Sequence, residues 1–153
     1  LTAFSKAALG RSVAALAVTV PRVETHHRET RERKTDPFSS PDYAGGALVN
    51  LVAELELRFT GTAPHPGLHP PLAAAIPQAD SYVLVLFDGL GDYQLAHPAA
   101  APILASRVGV IDAGWPTTTT VSMATVATGM TPAEHGLLGY QMRIPESRCR
   151  AGV

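Results

Sequence analysis

"SYVLVLFDGLGD" (residues 81–92) decides the fold. Tyr82 to Phe87 are six consecutive apolar residues rich in Val and Leu, the signature of a strand buried on both faces, as in a parallel sheet. The run stops at Asp88, and Gly89 and Gly91 mark a turn beyond its carboxyl end. Downstream, "DYQLAHPAAAPILASR" (92–107) predicts a helix broken near Pro98, and "RVGVID" (107–112) a second short strand. Strand, helix, strand implies a right-handed crossover, hence a parallel sheet and an α/β class. Ligands of such open sheets bind beyond the carboxyl ends of the strands. Asp88 sits at one such end. "GWPTTTT" (114–120) leaves the other and enters a helix expected from about Val121 to Ala127.

Upstream, Leu48, Leu51, Val52, Leu55 and Phe59 recur at helical spacing, with Glu54 and Arg58 on the other face. Ser40-Pro41-Asp42 supplies a cap, a first-turn proline and an acid, and Gly61 a stop, so an amphipathic helix of about 15 residues is expected. In "TAPHPGLHPPL" (62–72) the prolines at 64, 66, 70 and 71 exclude helix and central strand. His65 and His69 therefore have helical ligand spacing without a helix to carry it. Residues 21–41 hold too few apolar side chains to offset the entropy of ordering, and His26 and His27 within them read as solvated. The expected organisation is a leader and disordered linker over 1–40, followed by the folded α/β part over 41–153. Lys6 and Arg11 precede a short apolar run as in a signal peptide, but no A-x-A site follows. A short helix or leader is expected there, and a cytoplasmic location, with export as the alternative.

Bulk composition excludes several classes of function. Twelve Lys+Arg balance 13 Asp+Glu, and the basic stretch from Arg28 to Lys34 alternates with acids, so no nucleic-acid surface is expected. The single cysteine, Cys149, excludes an intramolecular disulfide and a cysteine zinc cluster. No apolar run approaches the roughly 20 residues of a membrane span.

Thr117 to Thr120 are poor helix formers at the mouth of a helix. One of them suffices as an N-cap. A second hydroxyl there faces unpaired N–H groups and the positive end of the helix dipole, which favour an alkoxide or a bound phosphate. With a divalent metal held by an aspartate from the neighbouring strand end, that hydroxyl becomes a nucleophile at neutral pH. A dinucleotide site is excluded, because the third glycine after Gly89 and Gly91 is replaced by Gln94.

These residues carry a family resemblance. Asp88-Gly89 after an apolar strand, Pro116-Thr117-Thr118-Thr119, Thr128-Gly129 and Pro132-Ala133-Glu134-His135-Gly136 stand in the order seen in the alkaline phosphatase superfamily. Within it, residues 82–142 resemble the type I phosphodiesterase/nucleotide pyrophosphatase group. The resemblance implies the N-terminal part of a parallel-sheet alkaline-phosphatase-like domain with helices packed on the sheet. It implies that Thr119 is the nucleophile of a covalent intermediate, and that Asp88 and Thr119 bind metal in a site of two divalent ions, usually Zn2+. Two metals clamp the attacking and leaving oxygens of an in-line displacement. The expected substrate is a phosphate ester. Thr120 is expected to bind it through its backbone N–H.

Two features depart from the pattern. Nucleotide-cleaving members place Asn directly after the glycine at 139, where this chain has Tyr140, a phenol that donates once but reaches further. Tyr140 is therefore the second expected substrate-binding residue. The family also draws most of its ligands from beyond this region, whereas a catalytic zinc takes about three protein ligands. After Met142, "RIPESRCRAGV" reads as basic and structureless. The expectation is an N-terminal portion of a longer hydrolase, inactive by itself; the alternative is a noncatalytic α/β fragment or binding module. Thr131-Pro132-Ala133-Glu134 reads as a capping box, which gives His135 a turn-holding role rather than a ligand's.

Overall fold

A computed structural model describes residues 2–8, 11–19, 40–87, 90, 92–143 and 150–152. The apolar run forms strand β3, Ser81–Phe87, and its neighbour is the early segment β2, Arg11–Thr19. The two are parallel, with Ala14 opposite Tyr82, Leu16 opposite Leu84 and Val18 opposite Leu86. Strand β1, Thr2–Ala8, pairs antiparallel with β2, completing a sheet of order β1-β2-β3. This corrects the expectation of a short helix at the N-terminus. Ala14, Leu16 and Val18 alternate along β2 and are buried on one face, the period of two that a half-buried strand shows. The linker expected over residues 21–39 lies outside the described residues.

Helix α1, Leu48–Thr60, covers that face. Its Leu48 and Leu51 join Leu16, Val18, Leu68 and Ile76 in the core, with Tyr82, Leu84 and Leu86 packed against them. Each such side chain contributes about 1.5–3 kcal/mol when fully removed from water. The opposite face of β3 differs from expectation: Val83, Val85 and Phe87 are 48%, 39% and 41% exposed. The described helices cover one face alone, so the continuous apolar run is half-buried.

Helix α1 starts at Leu48, not near Ser40, because Asp42 spends its capping groups on a turn. Its Oδ1 accepts from the Ala44 N–H at 3.1 Å and its carbonyl from the Gly46 N–H at 2.9 Å. Asn50 caps the true start: its Oδ1 accepts from the Ala47 N–H at 3.0 Å, while its amide donates to the Tyr43 and Pro66 carbonyls. Gly61 ends the helix in the left-handed conformation, at φ 79°.

Arg58 also departs from its expected outer face, since its side chain is only 10% exposed. Its guanidinium donates to Glu54 Oε1 at 2.8 Å and to the Ala73 and Ile76 carbonyls at 2.8 and 3.0 Å. It also donates to Tyr82 Oη at 3.1 Å. Burial opposes the charge, but the Tyr82 hydroxyl and the Glu54 carboxylate outweigh it and raise the Arg58 pKa. The side chain thereby ties α1 to the segment entering β3.

Pro70 and Pro71 open a short helix α2, Pro70–Ala75, rather than excluding one, because first-turn positions need no N–H acceptor. The expected break near Pro98 is present: 3₁₀ turns at Asp92–Ala96 and Pro98–Ala100 precede α3, Ala101–Ala105. The strand expected over 107–112 is not formed. That segment instead contributes an isolated parallel bridge between Ala47 and Asp112. The Asp112 N–H donates to the Gly46 carbonyl at 2.7 Å, its carbonyl accepts from Leu48 at 2.9 Å, and its carboxylate accepts from the Asp42 N–H at 3.0 Å. Its backbone groups are thus committed to the entrance of α1, so the parallel neighbour of β3 comes from upstream. Past Met142 the expectation of no structure is also corrected, since β4, Gln141–Arg143, pairs antiparallel with β5, Arg150–Gly152.

Candidate functional site

The threonine run enters α4, Thr119–Thr128, from a loop held on both sides. Gly114 is buried where a Cβ would stand 2.7 Å from Pro132 Cγ and 3.3 Å from Pro132 Cδ. The Trp115 N–H donates to Tyr43 Oη at 3.3 Å, the Trp115–Pro116 peptide is cis, and the Thr118 N–H donates to the Pro116 carbonyl at 3.0 Å. Gly114→Ala is expected to lower stability by about 1–3 kcal/mol, as overpacking does. A urea titration checks this, with a shifted midpoint at unchanged slope as the expected result.

The helix begins two residues earlier than the sequence suggests. Thr118 is its N-cap, with Oγ1 3.5 Å from the Val121 N–H and its carbonyl accepting from Ser122 at 3.0 Å. Thr119 and Thr120 are therefore its first two residues, whose N–H groups have no acceptor within the helix. The buried face of α4 carries Val121, Ser122, Ala124 and Thr125. Thr119 shares the other face with Met123, one turn on and 59% exposed. The residue expected to act as nucleophile is thus half-buried and separate from the cap. Within the core, Ser122 Oγ has no hydrogen-bond partner among the described residues, although Ser122 is 0% exposed.

Gly129, at φ 68°, ends α4, and the chain turns into α5, Pro132–His135. The capping box is present: Glu134 Oε2 accepts from both the N–H and the hydroxyl of Thr131 at 2.7 Å. His135 Nδ1 accepts from the Leu137 N–H at 3.1 Å, so its Nε2–H donates to Thr125 Oγ1 at 3.3 Å. It holds the turn to α4, as the sequence suggested.

Two further histidines brace the surroundings, through pairs that sequence spacing did not reveal. His65 Nε2 lies 2.9 Å from Glu134, and His69 Nε2 lies 2.7 Å from Asp42. The hydrogen bond from His69, with the Ala44 N–H, holds the Asp42 carboxyl below its usual value, and the Thr131 hydroxyl and N–H do the same for Glu134. Depressed carboxyl pKa values contribute stability above their unfolded values, 3.8 and 4.5, that is lost as pH falls through the folded ones. Stability is therefore expected to decline on acidification below about pH 4.5. An Asp42→Asn, Glu134→Gln double variant is expected to show a flatter acid limb in thermal melts across pH. An unchanged limb would contradict this.

Of the expected site residues, the structure brings Thr119 and Thr120 together on the first turn of α4. Tyr140 follows α5 and is 57% exposed, immediately before β4. Asp88, with Gly89, lies outside the described residues. Among the described residues no three His, Cys, Asp or Glu side chains group as a metal site, so these residues alone do not compose a zinc centre. The contacts by which Tyr43 and Pro132 seat the loop before Thr119 were not legible in the sequence, because both join distant segments. None of the described helices is long and apolar enough to cross a membrane.

Residues 82–150 match the family model described as type I phosphodiesterase/nucleotide pyrophosphatase. The matched stretch contains the motifs that carry the resemblance to the alkaline phosphatase superfamily, and the resemblance holds there. No curated protein and no solved structure matches the chain.

Proposed function

We propose, from the match of residues 82–150 to the type I phosphodiesterase/nucleotide pyrophosphatase family, that this chain carries the nucleophile segment of a phosphate-ester hydrolase. The observation that carries the reading is the first turn of α4, where Thr119 follows a loop braced by Tyr43 and Pro132 and stands apart from the N-cap Thr118. In this reading Thr119 Oγ1 attacks phosphorus, the bond to the leaving oxygen breaks, and a phosphothreonine forms that water then hydrolyses. The N–H of Thr120 steadies a phosphate oxygen, with the helix dipole favouring the negative charge. Tyr140 is proposed to reach the ester from its exposed position beyond α5.

The family is generally metal-dependent, and a divalent ion, by our proposal Zn2+, supplies Lewis-acid stabilisation of the developing charge when bound. Asp88 and Thr119 are proposed as two of its ligands. Two ligands fall short of the roughly three that a catalytic zinc takes. We therefore propose that the remaining ligands come from sequence outside these residues, and that the 153-residue chain alone hydrolyses p-nitrophenyl esters negligibly. The test compares release of p-nitrophenol from mono- and diester substrates, with added zinc, by this chain and by the protein carrying the further ligands. Zinc-dependent release by the second and not the first supports the reading. Release by neither removes it in favour of a noncatalytic α/β module.

A further inference from the structure

His65 and His69 join no group of metal-ligating side chains among the described residues, yet each lies against a carboxylate. His65 Nε2 is 2.9 Å from Glu134 Oε2, and His69 Nε2 is 2.7 Å from Asp42 Oδ2. An ionised carboxylate only accepts, so Nε2–H is the donor in both pairs. The segment that carries the two rings is stiff. Four of the eight residues from Pro64 to Pro71 are proline, and Leu68, between the histidines, is buried in the core.

Backbone contacts add to the pairs. The His69 N–H donates to the Gly45 carbonyl at 2.8 Å, and a Cβ on Gly45 would stand 2.6 Å from His69 Nδ1, so the ring lies directly on the glycine. The Asn50 amide donates to the Tyr43 carbonyl at 2.8 Å and to the Pro66 carbonyl at 2.9 Å, joining the proline-rich segment to the turn before α1. Residues 64–69 thus form a strap tied at both ends.

Both ends lie beside a brace of the loop that leads to Thr119. Asp42 directly precedes Tyr43, whose Oη accepts from the Trp115 N–H at 3.3 Å. Glu134 shares the single turn of α5 with Pro132, which packs on Gly114. One histidine therefore grips each brace, and Thr119 follows Trp115 by four positions as the first residue of α4.

We propose that His65 and His69 are positioning residues, which act through Glu134 with Pro132 and through Asp42 with Tyr43 to fix the loop that delivers Thr119. The catalytic weight of this rests on the reading of Thr119 as nucleophile, because in-line attack tolerates little misplacement of the attacking oxygen. The mechanical coupling does not depend on that reading.

Amide hydrogen exchange on the 153-residue chain, at fixed pH and without added metal, tests the coupling. The reporter is the Trp115 N–H, whose bond to Tyr43 opens when the brace moves, read against the amides of α1 and β3. In a His65→Leu, His69→Leu double variant the Trp115 N–H is expected to exchange about fivefold faster, with α1 and β3 unchanged. His69→Leu alone, at a half-exposed position, is expected to give the same change in smaller measure, so the test does not depend on folding of the double variant. His65→Gln with His69→Gln keeps an N–H donor near each Nε2 and is expected to restore slow exchange. An unchanged Trp115 rate, equal acceleration throughout the chain, or no rescue by the Gln pair overturns the proposal. A phosphothreonine mapped elsewhere than Thr119 would instead remove the catalytic reading and leave these exchange rates standing.

Discussion

Thr119→Ala is expected to lower zinc-dependent ester hydrolysis about a thousandfold or more in the protein carrying its full set of ligands. The size follows from the role: removing a nucleophile abolishes the covalent route and leaves only binding and electrostatic stabilisation. The structure separates this effect from a folding defect, because Thr118, not Thr119, caps α4. Thr118→Ala is expected to cost about 1 kcal/mol of stability, as cap removal does. Thr119→Ser should retain much of the activity. Steady-state rates and thermal melts on the three variants check the division of labour. A Thr119→Ala protein with ordinary turnover would contradict it.

Arg58→Met is expected to be the most destabilising single change outside the hydrophobic core, at about 3–5 kcal/mol. Methionine keeps much of the stem's packing but leaves Glu54 without its cation, and the Ala73 and Ile76 carbonyls and Tyr82 Oη without the donor they share. Losing a partner from a buried polar group costs more than the hydrogen bond contributed while it was made. Glu54→Gln, which keeps an acceptor for Arg58, is expected to cost far less. Denaturant titrations of the two variants check this. Equal stability of Arg58→Met and the parent would show that the clamp adds nothing to the fold.

Arg58 also shows where sequence reasoning meets its limit. Its placement opposite the apolar stripe of α1 predicted solvent, and the periodicity of the helix was right. The segment from Ala73 to Tyr82, which closes over that face, is a tertiary fact that no spacing within α1 encodes. The same holds for β2. Its alternation of small and apolar residues is weak, and only the pairing of Leu16 with Leu84 and Val18 with Leu86 makes it a strand of the sheet.

Features whose chemistry is local were legible. These include the apolar run of β3, the glycine stop at Gly61, the break at Pro98, the capping box at Thr131 and Glu134, and a capping threonine before α4. The strand expected over 107–112 failed for the converse reason. Its apolar pattern is real, but the backbone of Asp112 is bonded to Gly46 and Leu48 instead. At the candidate site the order of motifs was sufficient to find the matched family over residues 82–150. Of the two braces on the loop, Pro132 lies within the matched stretch, whereas Tyr43 comes from a part of the chain that it does not include.

The central proposal is that Thr119 Oγ1 takes phosphorus. The direct measurement incubates the protein carrying its full ligand set with zinc and p-nitrophenyl phosphate, quenches in acid, and maps the phosphorylated residue by peptide mass spectrometry. A phosphothreonine at Thr119, absent from Thr119→Ala, is the expected result. Phosphate on another residue, or zinc-dependent turnover that persists in Thr119→Ala, would contradict it.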